Sequence, residues 1–600
     1  MWRWAKKATK FAFMGAAILV GLAWLGYWGL SVYLEDRLPP IQSVASYIDH
    51  VPKMSRVYDA NGELIHTFWT ERRSVVRLSD LPPHVLHAAV AAEDGAFYTH
   101  GGVDVLGMMR AIVVNIKAGE YRQGASTITQ QLARSFYLSA EKTLMRKFKE
   151  LFLARKLERH LTKDEILLLY LNQIYFGHGR YGVKEASRYY LGRDISQVSV
   201  GEAALLMAVL PAPERLNPFT NLKACLKRRG AILDRMLAGG WITPKAHQSA
   251  LAERIATLPG NGAKRLRAPA FVDVVRRRLI MALGIEPLLK GGLAIHTTLN
   301  PAVQRAMNQA VAAAPFLTPD GPQVAMVFLR PRTGEILGMI GGRKFDGKGF
   351  NRAIQARRQA GSTFKTFVYG AGLASGELTP QTTFKDTAVT YRGASGRWTP
   401  RNHNRTHSGR AITVKRALAT SSNVISVQVL RRVGVTKMVA FARQMGIRSP
   451  IPADLSAALG SASVTPIELA NAYATIANGG YAGEVIAITR VEGPGGKVLF
   501  AERSARRRVL DVGTSTRLTS MLVEAVADGT GRSAAIDGLT VAGKTGTTNA
   551  NHDAWFVGYV PELLGLVWIG YDQPKPMKGV SGPSKAAPLW RDAVQRLVVR

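Results

Sequence analysis

A chain of 600 residues, 47% hydrophobic and 20% charged, has room for about three to five domains and is not a disordered polymer. Its 79 Lys and Arg against 42 Asp and Glu leave a formal net charge of +37, which calls for an anionic partner: nucleic acid, an anionic membrane face or a phosphorylated substrate. The single cysteine, Cys225, excludes an intrachain disulfide and a Cys-rich metal site and reads as a small buried or partly buried residue.

Phe11 to Leu34 is an uncharged, almost wholly apolar run. At about 1.5 Å per residue it spans the ~30 Å hydrocarbon layer with some tilt. Arg3, Lys6, Lys7 and Lys10 precede it, and Glu35, Asp36 and Arg37 follow. The positive-inside rule then keeps residues 1–10 in the cytoplasm and puts everything after 34 outside. No small-residue cleavage site follows Leu34, so a retained single-pass anchor over 11–34 is expected. That topology argues against nucleic acid and leaves anionic headgroups and pyrophosphate-linked lipids as partners.

Residues 35–80 read as a short connector in which Pro39-Pro40 breaks any helix leaving the membrane. Within it, Ser55 to Tyr58, the turn Asp59 to Gly62 and Glu63 to Trp69 read as strand, turn, strand. A mainly helical domain is expected over 81–240, a partly folded linker region over 241–320 and a mixed α/β domain over 321–600. Val103 to Ile116, rich in Val, Ile, Leu and Met around Arg110, either dips into the membrane surface or is an ordinary core helix.

In the helical part, the run from Glu93 to Gly102 concentrates reactive types: Glu93, Asp94, Phe97 and His100. Glu93 and Asp94 are general bases, ligands or simply helix-end carboxylates. Gly124-Ala125-Ser126-Thr127 before Gln130 and Gln131 is a glycine turn followed by hydroxyls at a helix start, which suits an anion but is also common. Arg146, Lys147 and Lys149 beside Glu150 make either a cationic clamp or a solvated helix face.

The C-terminal part carries Ser362-Thr363-Phe364-Lys365. On a helix, positions i and i+3 share a face, which puts the Lys365 amine near the Ser362 hydroxyl. A serine is a weak nucleophile until a neighbouring base takes its proton, and lysine becomes that base when burial or positive charge lowers its pKa. Ser421-Ser422-Asn423 offers a proton shuttle and an amide, or alternatively a helix cap. Lys544-Thr545-Gly546-Thr547 follows an apolar run and is expected on an edge strand, where Lys and Thr grip a carboxylate and Gly546 lets a substrate backbone approach.

In this order and spacing the three C-terminal elements resemble those of penicillin-binding proteins and class A β-lactamases. Leu459-Gly460-Ser461, Thr465 to Ala470 and Ala554 to Tyr559 agree, so the likeness covers about 270 residues. It implies that Ser362 attacks the bond between two terminal D-alanines of a wall stem peptide and that Lys365 accepts its proton. Ser421 and Lys544 would relay a proton to the departing D-alanine, and Asn423 would hold a substrate amide. Thr545 and Thr547 would hold the terminal carboxylate, with the Ser362 and Thr547 N–H groups as oxyanion hole. Ala360 and Thr366 stand where the family often has proline, for which altered packing is the expectation.

Together with Glu165-Ile166-Leu167, Tyr170-Leu171-Asn172 and Tyr175-Phe176-Gly177, the N-terminal runs resemble the five boxes of the lysozyme-like peptidoglycan glycosyltransferases, over roughly 81–210. This implies Glu93 as the base on the acceptor sugar 4-hydroxyl and Arg134, Arg146 and Lys147 as stabilisers of a polyprenyl pyrophosphate leaving group. Glu150 would orient that cationic cluster or a divalent ion. Asp94, Phe97, His100, Gly124, Ser126, Thr127, Gln130 and Gln131 would line the substrate site. Ser135 replaces an asparagine frequent in the family, a mild departure.

The resemblance thus implies a multi-domain protein: one transmembrane helix, a mainly α lysozyme-like glycosyltransferase domain and an α/β (α+β) serine transpeptidase domain. It would polymerise lipid II by inverting transfer and cross-link the product, on the outer side of the bacterial cytoplasmic (inner) membrane. The alternatives are one active half, a β-lactam-binding receptor, or a scaffold. Transpeptidation needs no cofactor, while magnesium has a place in glycosyl transfer. Expected partners are lipid II, nascent peptidoglycan, membrane lipids, β-lactams as covalent inhibitors and other wall-synthesis proteins, with no nucleic acid.

Overall fold

The computed structural model describes residues 38–598 apart from 42, 119–125, 138–142, 258–267, 394–395 and 404–405, together with 18, 21–22, 25–26, 28–29 and 31–34. Among these residues no helix is long and apolar enough to cross a membrane. The expected cytoplasmic tail 1–10 and most of the expected anchor 11–34 lie outside them. The chain divides into two compact units, residues 1–54 with 69–264 and residues 55–68 with 265–600.

The first unit is built from helices. Two of them show why the sequence folds here. Ser199 and Glu202 form a reciprocal capping box that starts Val200–Val209, a helix apolar all round and buried on every face. Thr162 and Glu165 do the same for Lys163–Gln173. In that helix Asn172, 1% exposed, accepts from Val76 N–H (2.8 Å) and donates to the Val76 and Leu168 carbonyls. The Glu165 and Asn172 boxes therefore act on the fold, starting a helix and tying the preceding segment to it. The unit does not stop at 240. Helix Pro244–Ala252 belongs to it, since Arg229 donates to the Leu251 and Glu253 carbonyls and Ser199 Oγ to Glu253.

The second unit contains two five-stranded sheets. One runs Ala542–Thr547, Asp553–Val560, Leu563–Gly570, Gln323–Leu329, Ile336–Ile340, antiparallel throughout. Successive side chains of a strand face opposite sides. Accordingly Val324, Met326 and Phe328 join a core with helices Pro301–Ala313 and Ala587–Val598, while Ala325, Val327 and Leu329 join a core with helices Lys365–Ala374 and Pro466–Ala477. The sheet is thus covered on both faces, as an α/β layer architecture requires.

The other sheet runs Val498–Phe500, Ile488–Glu492, Ala294–Thr297, Ser55–Tyr58, Leu64–Phe68. The strand–turn–strand expected in the connector is present, but as part of this unit: Ser55–Tyr58 pairs in parallel with Ala294–Thr297. The described residues of the expected, partly folded linker region 241–320 are shared between the units, its last part supplying helices Pro269–Leu283 and Pro301–Ala313. Its arginines obscured the pattern because they serve a buried carboxylate: Arg276 and Arg277 pair with Asp273, 2% exposed.

Candidate functional site

In the second unit Ser362 sits in a 3₁₀ turn, Gly361–Phe364, that runs into helix Lys365–Ala374. The turn is held from two directions. Ala360 N–H donates to Ala462 and Gly361 N–H to Gly460. Gly460 has φ +78° and a Cβ there would lie 1.8 Å from the Gly361 oxygen, so only glycine fits. From the other direction comes strand Ala542–Thr547, which is the sheet edge, as expected. A Cβ on Gly546 would meet Ala360 O and Thr363 Cγ2, both at 2.8 Å. The expectation that Gly546 admits a substrate backbone gives way to an internal reason: its bare Cα lets the edge strand close on the nucleophile turn. The Thr366 that replaces proline is also used. Its hydroxyl donates to Tyr473 Oη (2.7 Å), which in turn donates to the Thr363 carbonyl (2.7 Å).

Ser421 ends helix Val414–Ala419 in a left-handed conformation, φ +60°. Ser421 N–H bonds to Leu418 O and Ser422 N–H to Ala417 O, the Schellman pattern in which glycine is usual. A side chain there costs roughly 1–2 kcal/mol, accepted here for the sake of a hydroxyl. Ser422 then caps the next helix, Asn423–Val433. The cap reading of this element holds for Ser422, while Ser421 and Asn423 turn inward.

What they meet is a pair of lysines, each 0% exposed. Lys365 Nζ donates to Ser421 O (2.7 Å), Ser421 Oγ (3.3 Å) and Asn423 Oδ1 (2.6 Å). Lys544 Nζ donates to the same Ser421 Oγ (3.1 Å). Burial, then the charge of Lys544, hold Lys365 well below its ordinary pKa. Burial alone brings Lys544 down to about 7. A serine hydroxyl between two easily neutralised amines can accept from one and donate to the other, which is a proton relay. Thr545 is 3% exposed and shares a hydrogen with Thr530 (2.7 Å), and half-buried Thr547 accepts from Gly582 N–H (3.1 Å).

Sequence reasoning missed Asn402. Its Oδ1 accepts from Ser422 Oγ (3.1 Å), Asn423 N–H (3.0 Å) and Val424 N–H (3.3 Å), while its Nδ2 donates to buried Asp386 (2.9 Å). No local pattern marks a residue that acts across about twenty positions.

In the first unit Glu93 ends helix Pro83–Glu93, half-buried, and its Oε2 accepts from Gln131 Nε2 (2.9 Å). Burial raises its pKa, opposed by the Gln131 bond and by Arg228 and Arg235. Neither arginine was foreseen. Arg235 also caps the helix end through the Ala91 and Ala92 carbonyls. Asp94 is buried and committed: it accepts from His100 Nε2 (3.0 Å) and from Ile128 N–H (3.0 Å) at the start of helix Ile128–Tyr137. His100 Nδ1 accepts from Gly102 N–H (3.2 Å). Phe97, expected at the substrate, is corrected to core: it is 0% exposed beneath Tyr98, His100 and Lys163.

Thr127 and Gln130 are buried and cap each other across the helix start. Lys147 Nζ reaches Ser126 Oγ (3.2 Å) and Gln130 Oε1 (3.5 Å). Glu150, 0% exposed, accepts from Arg146 (3.1 Å) and Lys147, fixing both cations. Among the described residues Gln130 Nε2 and Arg146 Nε are buried donors without a partner. Arg134 is exposed on the same helix as Gln131, and Gly124 lies outside the described residues. Among the described residues no three of His, Cys, Asp and Glu converge on a point that would hold a metal ion. With both Glu150 oxygens committed to cations, this donor set does not fit a protein-held magnesium.

Comparison with known proteins assigns a family to each of the two parts of the chain. Residues 61–237 match the family described as transglycosylase, and residues 324–594 the penicillin binding protein transpeptidase domain. The chain is 35% identical to penicillin-binding protein 2D of Bacillus subtilis, over 98% of this chain and 86% of that protein. It is 33% identical to penicillin-binding protein 1A of Neisseria gonorrhoeae, over 96% and 86%. The crystal structure of penicillin-binding protein 1A from Haemophilus influenzae shares the fold, with a TM-score of 0.67 at 21% identity over 91% of this chain and 92% of that one.

Proposed function

The chain belongs to the class A, bifunctional penicillin-binding proteins, peptidoglycan glycosyltransferase and transpeptidase in one, and from this we propose how its own residues carry the two reactions. The observation that carries the cross-linking half is Ser421 Oγ held between two buried lysines. Neutral Lys365 takes the Ser362 proton as Oγ attacks the penultimate D-alanine carbonyl. The C–N bond breaks, and the departing D-alanine amine is protonated through Ser421 and Lys544. An amine of a neighbouring stem peptide then displaces Ser362 and forms the cross-link. A β-lactam follows the first step only and stays on Ser362. Lys544, when protonated, also supplies positive charge to a site that receives a terminal carboxylate.

For polymerisation, Glu93 takes the proton of the acceptor 4-hydroxyl while that oxygen attacks the donor anomeric carbon. The lipid pyrophosphate leaves toward Arg146 and Lys147, which Glu150 has already oriented, so little reorganisation is needed as charge develops. The unpartnered donors on Gln130 and Arg146 support an anion at this place. Lipid II is the substrate that fits these groups. The test is incubation of the detergent-solubilised protein with radiolabelled lipid II, with and without penicillin. Polymer is expected in both and cross-links only without the drug. Penicillin labelling without polymer under any condition would leave only the transpeptidase.

We place the protein at the bacterial cytoplasmic membrane, held by the 11–34 segment. Helix Val105–Ala118 supports a second contact, because Val105, Leu106, Met109, Val113 and Ile116 are all half or more exposed along one stripe. An ordinary core helix would hide that stripe. Changing Leu106 and Met109 to Asp is expected to weaken binding of a protein starting after residue 34 to anionic vesicles several-fold in a flotation assay. Unchanged flotation would end the idea.

Asn402 is proposed as a positioning residue for the Ser421–Asn423 junction. Bonds of this capping kind are worth about 0.5–2 kcal/mol, so Asn402→Ala is expected to slow penicillin acylation about tenfold. Asn402→Asp is expected to fail as a rescue, because it would face Asp386. Stopped-flow acylation alongside lipid II polymerisation checks this: polymerisation should not change.

A further inference from the structure

The second unit holds a cavity of ≈ 780 Å³ to which none of the residues around Ser362 contributes. Its volume is in the range of about 300–1,000 Å³ seen for ligand pockets. Seven arginines line it and only two carboxylates, Glu468 and Glu484. Three arginines have partners: Arg277 with Asp273, Arg278 with Glu502, Arg448 with Glu484. Glu468 is spent locally, accepting from Ser449 N–H and Oγ (both 2.6 Å) and capping its own helix.

The remaining four, Arg357, Arg443, Arg503 and Arg507, are exposed, and among the described residues none of them pairs with a carboxylate. They come from three separate places: the segment just before the nucleophile turn, the end of helix Val435–Met445, and the stretch from the loop after Phe500 into strand Arg507–Arg508. The cavity between them has apolar patches at Val274, Ile354, Ile467 and Val485.

Several guanidinium forks around a partly apolar hollow suit an extended ligand that carries carboxylates along its length. The planar fork binds a carboxylate through two parallel bonds, which lysine cannot do. Nucleic acid fits poorly, since no Phe, Tyr or Trp lines the cavity to stack a base. A planar membrane surface does not fill a concavity. The bifunctional reading supplies a carboxylate-rich peptide in quantity, and the inference rests on that reading. We propose that this basin is a second binding site for stem peptides of the wall polymer, holding a strand through its carboxylates while Ser362 acts on another.

The test uses the full-length protein in detergent with Ser362 already acylated by penicillin. Binding of a fluorescent, sugar-free stem pentapeptide with free carboxylates is followed by anisotropy. Wild type is expected to bind, and Arg503→Glu with Arg507→Glu to bind at least tenfold more weakly. The pentapeptide with its carboxylates amidated is expected to bind wild type as weakly. Equal binding by wild type and variant, or by free and amidated peptide, overturns the proposal. So does inorganic tripolyphosphate if it displaces the peptide at concentrations well below the peptide's own Kd, which would assign the basin to a phosphate ligand. Penicillin labelling should be the same in both proteins. Its failure in both would remove the catalytic premise, whereas intact labelling without carboxylate-dependent binding would tell against the basin alone.

Discussion

Ser362→Ala is expected to abolish penicillin labelling and cross-linking completely while glycan polymerisation continues at the wild-type rate. Ser421 Oγ is not expected to substitute, because it is already bonded to both lysines. The loss should cost little stability, because Ser362 is only half-buried and its turn is held by the backbone bonds of Ala360 and Gly361. Polymerisation survives because the two units close separate cores. Fluorescent penicillin on a denaturing gel, beside lipid II polymer length, reads both. A covalent label on the alanine variant would refute Ser362 as the nucleophile. In the wild type, the pH at which acylation rises should lie well below 10.5. Lys365 must be neutral to act, and burial and the Lys544 charge have brought its pKa down.

Glu93→Gln is expected to reduce polymerisation by about 10²–10⁴-fold, the usual worth of a general base, and to leave penicillin labelling unchanged. It should also raise the melting temperature at neutral pH. Burial lifts the folded-state pKa of Glu93 above the unfolded value, so the folded protein holds the proton more tightly. Stability from this group is then present at low pH and is lost as pH rises through the folded pKa. At neutral pH the ionised, desolvated carboxylate is a cost that glutamine does not carry. The gain in melting temperature should therefore shrink as the pH is lowered toward about 4, where the wild-type carboxylate is itself neutral. A variant that polymerises normally would remove Glu93 from the mechanism. One that is inactive but no more stable at neutral pH would refute only the desolvation argument.

What was legible in the sequence was chemistry carried by short, ordered runs. Ser362 and Lys365 stand where a turn runs into a helix, and Lys544 to Thr547 lie on the edge strand that was expected for them. The first unit reads as helical because strong signals recur along it, such as the capping box of Thr162 and Glu165. What was not legible depends on contacts far apart in the chain. Phe97 lies among reactive neighbours yet points into the core, and only packing distinguishes the two. Asn402 is invisible until residues 422–424 fold beneath it. Gly546 looks like an opening for substrate until Ala360 and Thr363 are seen against it. The folded segment over 269–313 resembled a linker because its arginines face Asp273 and Glu502, the latter more than two hundred residues away.

The pairing of Ser55–Tyr58 with Ala294–Thr297 sets a timetable for synthesis. Ser55 Oγ accepts from Leu293 N–H, 238 positions later. At about 5–20 residues per second a ribosome needs roughly 12–48 s to deliver that partner. Until then the hairpin is a strand pair with one edge unsatisfied, and a pair of strands alone is marginal in water. The whole first unit after residue 68 is made in that interval and can complete its core first. The early hairpin is therefore among the last pieces to be locked in, and its exposed edge is the place where a stalled or overproduced chain should first begin to aggregate.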